Sequence, residues 1–292
     1  MNIMHIEFKN DITISAIYYG LLQSGYDYYE MSRNSEHINT VRTFRTCPDL
    51  SFFAEARQNT CEIYPYWPRA ALLESASIFL NKETFQWHSF NEYEDFVMSA
   101  KNIQVQDRDE SFWKWVLSFP IELEKIILND KFKQYFAWEN NWIQEQERRY
   151  KDELFSLYNH LDFCVKHYEV QFKKVQIVLS AIKCVYSCDY HMQGENFIFS
   201  AGGFDVDAVL HEYLHHIVHP IVTQYARILT NKNLCFDGID SSYYLPNDEN
   251  GIVNALEEYA VRCLTESFKH GTPPTDLEKY IEELIVNLNT PR

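Results

Sequence analysis

The sequence predicts an α+β protein that is mostly helical, and two observations lead to this fold class. Helix-breaking residues are scarce, with 8 Gly and 9 Pro among 292 residues, whereas aromatic residues make up 16% of the chain. Few breakers combined with many aromatic side chains are typical of a compact, largely helical protein. Near residue 172 the pattern changes to β-branched apolar runs, which adds a small sheet to the helices.

Residues 1–171 are predicted to form a mainly helical N-terminal region. A short strand is expected at 3–8, and apolar residues at helical spacing predict a helix over 11–31. The same spacing predicts four further helices, over 69–80, 90–102, 109–118 and 121–167. Pro120 is expected to separate the last two, because proline cannot donate the backbone hydrogen bond of a helix interior.

Residues 172–292 are predicted to form a second region, either separate or continuous with the first. Three strands are expected, at 175–182, 184–190 and 196–200, with a turn at Gly194. Asp205 or Asp207 is a suitable N-cap for the helix that follows. Pro220 is expected to end or kink that helix, and residues 221–231 are predicted to continue as helix. Two more helices are predicted after a polar loop, over 250–268 and 275–288.

The charge and composition of the chain indicate which molecules it can bind and where it is located. The net charge is −16 and no cluster of Lys and Arg occurs, which argues against nucleic acid and against an acidic membrane surface. No apolar run approaches the ~20 residues of a membrane helix, and the N-terminus lacks a signal-peptide pattern. Seven cysteines without a paired framework predict reduced thiols and a cytoplasmic location. By electrostatic steering, the acidic charge is expected to favour basic substrates.

The string H-E-Y-L-H at residues 211–215 lies in a segment predicted to be helical. Residues four apart share one face of a helix, so His211 and His215 can direct their imidazoles at one ion. Imidazole nitrogen suits zinc, and Glu212 would lie close to the open coordination position of that zinc. There it can take a proton from zinc-bound water and pass it to a leaving amine. The sequence therefore predicts one zinc ion per chain, with Glu212 as the catalytic base.

A catalytic zinc needs a third protein ligand. His219 lies two helical turns beyond His211, roughly 12 Å along the axis, which is too far for one ion to bridge on a straight helix. Glu257 and Glu258, on the later helix, are better candidates. Glu257 lies at the boundary of the apolar face of that helix, whereas Glu258 lies nearly opposite it, where a carboxylate is ordinarily in water. We therefore prefer Glu257 as the third ligand and keep Glu258 as the alternative.

The HEYLH string followed by a helix carrying Glu257-x-x-Ala260 resembles the gluzincin branch of the zincin metallopeptidases. The longer string HEYLHHIVHPIV is also similar to poorly characterised bacterial zincin-like proteins, which tend to carry Asn-Pro where this chain has His219-Pro220. The resemblance covers roughly residues 172–270. It implies a zincin-like C-terminal part in which the two motif histidines and a glutamate on a second helix bind zinc.

The resemblance also implies how a substrate binds. Zincins place an edge strand beside the active-site helix, and an extended peptide pairs with that strand. Residues 196–200 are our prediction for this strand. The family often supplies a Tyr, His or Arg that stabilises the oxyanion, and Tyr243 and Tyr244 are candidates for this role.

The function expected from the sequence is hydrolysis of peptide bonds in a peptide or protein substrate by a zinc metallopeptidase. Because fold does not fix function, the alternative is a zinc-binding but non-proteolytic regulatory or binding protein on a zincin scaffold. A third hypothesis is a helical interaction protein in which the motif is fortuitous and binds no metal. The sequence gives neither the peptide specificity nor the oligomeric state.

Overall fold

The computed structural model describes residues 4–31, 33–46, 70–84, 86–89, 91, 94, 110–229 and 249–288. Over these residues the protein is α+β and mostly helical, with a mixed sheet of four strands, which confirms the predicted class. No helix in the described ranges is long and apolar enough to cross a membrane. Tyr243 and Tyr244 lie outside the described residues, as does the helix predicted over 90–102 apart from residues 91 and 94.

The N-terminal elements are β1 (His5–Phe8), α1 (Ile12–Gln23), α2 (Ser35–Thr43), α3 (Ala71–Ser77), α4 (Glu110–Leu128), α5 (Asp130–Arg149) and α6 (Lys151–His167). Asp11 begins α1, because its carboxylate accepts the backbone N–H of Thr13 at 2.9 Å. The helix predicted over 11–31 is shorter in the structure. Gly25, with a φ of 92°, turns the chain after Gln23, and a single 3-10 turn at Tyr28–Glu30 follows.

The predicted interruption at Pro120 is wrong, because α4 continues through this residue. Val116 and Leu123, on either side of the proline, are both fully buried in one core, so packing outweighs the lost hydrogen bond. The chain breaks instead at Asn129, whose side chain accepts the N–H of Lys131 at 2.8 Å and begins α5.

The C-terminal elements are β2 (Lys174–Leu179), β3 (Cys188–Gln193), β4 (Asn196–Ala201), α7 (Val206–Leu229), α8 (Glu249–Lys269) and α9 (Leu277–Leu288). Gly194, with a φ of 57°, lies in the predicted turn between β3 and β4, where Gln193 pairs with Asn196. Asp205 is the N-cap of α7, since its Oδ1 accepts the N–H of Ala208 at 2.9 Å. Like α4, α7 continues through its proline, Pro220.

The strands lie in the order β1-β2-β4-β3, so β1 belongs to the same sheet as the C-terminal strands. Strands β1, β2 and β4 are parallel, and β3 is antiparallel to β4. The prediction that residues 196–200 form the edge strand is therefore wrong, because β4 lies inside the sheet and β3 lies at its edge. The physical reason is visible in β4, whose Phe197, Ile198 and Phe199 place buried apolar side chains on both faces.

The sheet separates two hydrophobic cores, because successive side chains of a strand point to opposite faces. Ile198 on β4 and Val178 on β2 join the core that is built mainly from α1, α3, α4 and α5. Phe197 and Phe199 join the core that contains α6, α7, α8 and α9. The candidate site therefore lies on the second face, where α7 and α8 pack, and α1, α3, α4 and α5 support the sheet from behind.

Candidate metal centre

Helix α7 presents the HEYLH motif beside the sheet. Its apolar residues Leu210, Tyr213 and Leu214 are fully buried and hold the helix against the second core. The opposite side of the same turns carries His211 and His215, whose Nε2 atoms lie 3.4 Å apart. The i, i+4 spacing thus places both imidazole nitrogens at one point.

The carboxylate that joins the two imidazoles is Glu258. Its Oε2 lies 3.5 Å from His211 Nε2 and 3.6 Å from His215 Nε2. Within the described residues, these three side chains form the cluster whose ligand atoms are close enough to share an ion. A tetrahedral zinc with bonds near 2.05 Å separates its ligand atoms by about 3.3 Å, so two imidazoles and a carboxylate at these distances fit zinc in both chemistry and spacing.

Helices α7 and α8 lie antiparallel at this site. Lys269 Nζ near the end of α8 lies 3.2 Å from the Asp207 carboxylate in the first turn of α7, and Glu258 is level with His211 and His215. Arg262, one turn beyond Glu258, donates from Nε to Glu258 Oε1 at 2.6 Å. This bond occupies one carboxylate oxygen and turns the other towards the histidines.

Glu257 contacts the same histidine from its other side. Its Oε1 lies 2.7 Å from His215 Nδ1, and its Oε2 lies 2.6 Å from His219 Nδ1. A carboxylate on Nδ1 retains the proton there and leaves Nε2 free for a metal, which is the usual arrangement behind a histidine ligand. Glu257 is therefore placed to orient His215, and His219 contacts this carboxylate outside the cluster of ligand atoms.

Glu258 lies close to both Nε2 atoms, whereas Glu257, which the helical wheel favours as the ligand, contacts Nδ1 of His215. The wheel compares Glu257 and Glu258 with the apolar face of α8 alone. In the structure the polar residues of α7 lie against the boundary of that face, so both carboxylates meet histidines and neither is left in water. Glu258 is only 18% exposed despite its position opposite the apolar face. Which of the two reaches the paired Nε2 atoms depends on the register of α7 against α8.

The electrostatics of the three charged groups differ. Burial would raise the pKa of Glu258, but the neighbouring His211 and Arg262 lower it to about 2. Burial would lower the pKa of His215, yet Glu257 and Glu212 raise it above its ordinary value. Burial raises the pKa of Glu212, which makes this carboxylate more basic than a solvated one.

Glu212, the residue between the two histidines, faces strand β3. The Cys188 thiol at the start of β3 donates to Glu212 Oε1 across 3.5 Å. Burial and the nearby Glu212 raise the pKa of Cys188, so the sulfur remains a protonated donor. An acidic side chain with an elevated pKa beside a metal position is suited to general base chemistry.

Tyr190, on the same face of β3 as Cys188, stacks on His215 with ring centroids 6.0 Å apart and planes 12° from parallel. Sequence reasoning did not single out this residue, because 20 tyrosines occur in the chain and nothing local distinguishes this one. Strand β3 therefore supplies two side chains to the site, Cys188 and Tyr190. Among the described elements β3 pairs only with β4, so its other edge faces away from the sheet.

A buried charge cluster lies on the opposite face of the sheet, and sequence reasoning missed it as well. Lys183 is fully buried and donates from Nζ to Glu74 at 2.9 Å and to Asp189 at 2.7 Å. His191 Nε2 lies 3.0 Å from the second Glu74 oxygen. Burial would raise the pKa of Glu74, but Lys183 and His191 lower it below its ordinary value. The Lys183 cluster joins α3 to β3 directly behind Cys188 and Tyr190.

Comparison of the chain with family models, with curated proteins and with solved structures finds no match.

Proposed function

We propose that the chain is a zinc-dependent peptidase of the gluzincin type, with His211, His215 and Glu258 as the metal ligands. The observation that carries this proposal is the triangle of three ligand atoms with sides of 3.4, 3.5 and 3.6 Å, adjacent to the partly buried carboxylate of Glu212. Two further features support it. Glu257 is placed to fix the tautomer of His215, and β3 is an edge strand beside the motif helix.

In the proposed hydrolysis, Glu212 transfers the proton and β3 holds the substrate backbone. Bound zinc would polarise the scissile carbonyl and lower the pKa of the attacking water. Glu212 accepts a proton from that water while the water oxygen bonds to the carbonyl carbon. The same carboxyl group then returns the proton to the amine nitrogen as the C–N bond breaks, so that water is consumed and two peptides leave. An extended substrate would pair with the outer edge of β3, which holds its backbone across the site.

Zinc analysis combined with a Glu212→Gln variant tests the proposal. The protein, purified without a histidine tag, is expected to contain one zinc per chain and to cleave members of a broad quenched-fluorescent peptide library. Glu212→Gln should keep its zinc, because Glu212 is not a ligand, and should lose about 10²–10⁴-fold in turnover. Glu195→Gln, the same change on the exposed turn between β3 and β4, is the matched control and should cleave normally.

Three outcomes would contradict the proposal in different ways. Full activity of Glu212→Gln would remove the base from the mechanism. Stoichiometric zinc without turnover of any library member would favour a zinc-binding regulatory or binding protein on the same scaffold. Absence of stoichiometric zinc would favour an interaction protein in which the motif is fortuitous.

A further inference from the structure

A cavity of about 610 Å³ lies next to the candidate metal centre. Its wall is formed by the start of α2, the end of α5 and the segment that leads into β3. Cys188 lines this cavity and also donates to Glu212, so one side chain separates the cavity from the proposed base. Ala208, another lining residue, lies one helical turn before Glu212 on α7, or about 6 Å along the axis.

The charge of this wall is opposite to that of the whole molecule. The chain carries a net charge of −16, yet the cavity is lined by two guanidinium groups, Arg33 and Arg149. The only other carboxylate and the only imidazole among its described lining residues belong to Asp205 and His37. Asp205 is bound to the first turn of α7 as its N-cap. His37 is neutral at pH 7, because burial and the nearby Arg33 lower its pKa to about 4.

Arg33 is held by two backbone carbonyls and an aromatic ring. Its guanidinium donates to the backbone carbonyls of Gly202 and Ser180 and lies 5.0 Å from the centroid of the Trp142 ring. No carboxylate of the described residues lies within 4 Å of it, and its Nε, which is buried, has no hydrogen-bond partner among them. Glu139 contributes an electrostatic interaction with Arg33, and its Oε1 accepts from the Tyr135 hydroxyl and the Ala181 N–H.

Arg149 completes the pair from the last turn of α5. Its side chain is exposed, and the guanidinium lies 5.4 Å from the centroid of the neighbouring Tyr150 ring. Stacking on Tyr150 leaves the in-plane N–H groups of Arg149 available, because a cation over a ring uses its face and not its edge. Arg149 has no acidic partner among the described residues and lines the same cavity as Arg33, so the two guanidinium groups are arranged to meet an anion.

We infer that this cavity binds a carboxylate of the peptide substrate, so that the enzyme prefers acidic peptides. The inference rests on the proposed function for the identity of the ligand as a peptide. Guanidinium groups pair with carboxylates through two parallel hydrogen bonds, which neither an amide nor a cation reproduces. The net charge of the chain predicts a preference for basic substrates, and the two arginines oppose that preference inside the cavity. A ligand bound there interacts most strongly with these arginines, because salt screens the charges that lie farther away.

Binding to the Glu212→Gln variant tests the inference without depending on turnover. Three pools of octapeptides are titrated calorimetrically, each with uncharged residues at the variable positions and an acetylated N-terminus. The first has Glu at a central position and an amidated C-terminus, the second has Gln there with the same ends, and the third has Gln with a free C-terminal carboxylate. The Glu pool, or the free-carboxylate pool, is expected to bind roughly tenfold tighter than the neutral pool, and the tighter of the two identifies the source of the carboxylate.

Arginine variants locate the effect. Arg149→Gln should reduce the preference for a carboxylate at least threefold, and it should leave the fold intact because the side chain is exposed. Arg148→Gln, the same charge change on the neighbouring residue outside the cavity, should keep the full preference. Arg33→Lys retains the positive charge but cannot form two parallel hydrogen bonds with a carboxylate, so it should also reduce the preference for a carboxylate. Equal binding of all three pools, or equal loss in Arg148→Gln and Arg149→Gln, would overturn the inference.

The two proposals fail separately. A chain that cleaves peptides but binds the three pools equally would retain the proposed function and lose the carboxylate site. A chain that cleaves nothing in any form, yet binds acidic pools through Arg149, would retain the site and lose the enzyme.

Discussion

Two adjacent carboxylates, Glu257 and Glu258, take different positions around one histidine. Glu258 reaches the Nε2 atoms where an ion would lie, and Glu257 holds Nδ1 on the far side of the His215 ring. Their neighbours explain the division, since Arg262 fixes one oxygen of Glu258 and His219 occupies one oxygen of Glu257. Two neighbouring residues of α8 therefore have different roles, since Glu258 is a candidate metal ligand and Glu257 orients the ligand His215.

This division predicts unequal losses of zinc affinity. Glu257→Gln should weaken zinc binding about 10–100-fold, which is typical for loss of a carboxylate behind a histidine ligand. Glu258→Gln should weaken it more, because a charged ligand is removed. Competition with a chromophoric chelator measures both affinities, and Glu266→Gln, on the exposed face of α8, is the control. A larger loss in Glu257→Gln than in Glu258→Gln would make Glu257 the ligand.

Lys183 carries a charge that stabilises the interior of the protein and lies outside the candidate metal centre. Lys183→Met should lower the free energy of unfolding by about 3–5 kcal/mol, because it leaves Glu74 and Asp189 buried without their cation. Lys174→Met is the matched control on the same sheet. Lys174 pairs with Glu7 but is 41% exposed, so its loss should cost less than about 1 kcal/mol. Urea unfolding of both variants compares the two values, and a similar cost for each would contradict this account.

At the scale of elements, the end of β4 decides how closely the chain can pass the segment before β3. A Cβ at Gly202 would lie 2.1 Å from the backbone oxygen of Cys184, whereas a Cβ at Gly203 would lie 3.4 Å from its nearest neighbour, the Val185 oxygen. The close approach at Gly202 also presents its carbonyl to Arg33. The same glycine thus allows the close approach to Cys184 and helps to hold Arg33 beside the cavity.

Substitution of the two glycines should separate close approach from general loss of flexibility. Gly202→Ala should destabilise the protein by about 3 kcal/mol or more, because a backbone atom cannot move aside as a side chain would. Gly203→Ala should change the stability by less than about 1 kcal/mol, because its Cβ meets ordinary contacts. Thermal and urea unfolding measure both, and equal effects would show that the contact at Gly202 relaxes easily.

Helices α4 and α7 show why proline is a poor guide to element boundaries in this chain. Both run through a proline, Pro120 in α4 and Pro220 in α7, while helix ends follow capping side chains such as Asn129 and Asp205. A proline removes one hydrogen bond, but burial on both sides of it holds the helix together. The prolines are therefore consistent with long helices that span the core.

At the scale of the whole molecule, stability is expected to fall as the pH is lowered. The pKa of His37 is about 4 in the folded protein and near 6.5 when unfolded, so the unfolded chain binds more protons between these values. Stability contributed by neutral His37 is therefore full above pH 6.5 and is lost as the pH falls towards 4. Glu74 and Asp11, whose folded pKa values are lowered, act in the same direction at more acidic pH.

A His37→Gln variant isolates the histidine contribution. Glutamine can still donate to the Ala181 carbonyl that His37 contacts at 2.8 Å, but it does not titrate. Between pH 7 and pH 4.5 the loss of unfolding free energy should be smaller in the variant, by about 1 kcal/mol once partial solvent access to His37 is considered. Urea unfolding at several pH values gives the slopes, and identical slopes would show that His37 does not contribute to the acid sensitivity.

The sequence by itself determined the features that depend on neighbours along the chain. The pairing of His211 with His215, the turn at Gly194 and an N-cap at Asp205 or Asp207 follow from helix periodicity and turn chemistry, which act over four residues or fewer. The order of helices and strands in the C-terminal half follows from the same periodicities. Helix lengths were less predictable, because burial overrides a single proline.

Only the tertiary structure decided the features that depend on the packing of distant segments. The approach of Glu258 to the paired Nε2 atoms, where the sequence favours Glu257, depends on the register between α7 and α8. The position of β3 at the edge, where the sequence favours residues 196–200, depends on the pairing of the whole sheet. Arg33 and Arg149 meet across more than a hundred residues to form one cavity. Periodicity fixes the direction of a side chain within its own element, whereas the position of that element is set by the complementarity of complete cores.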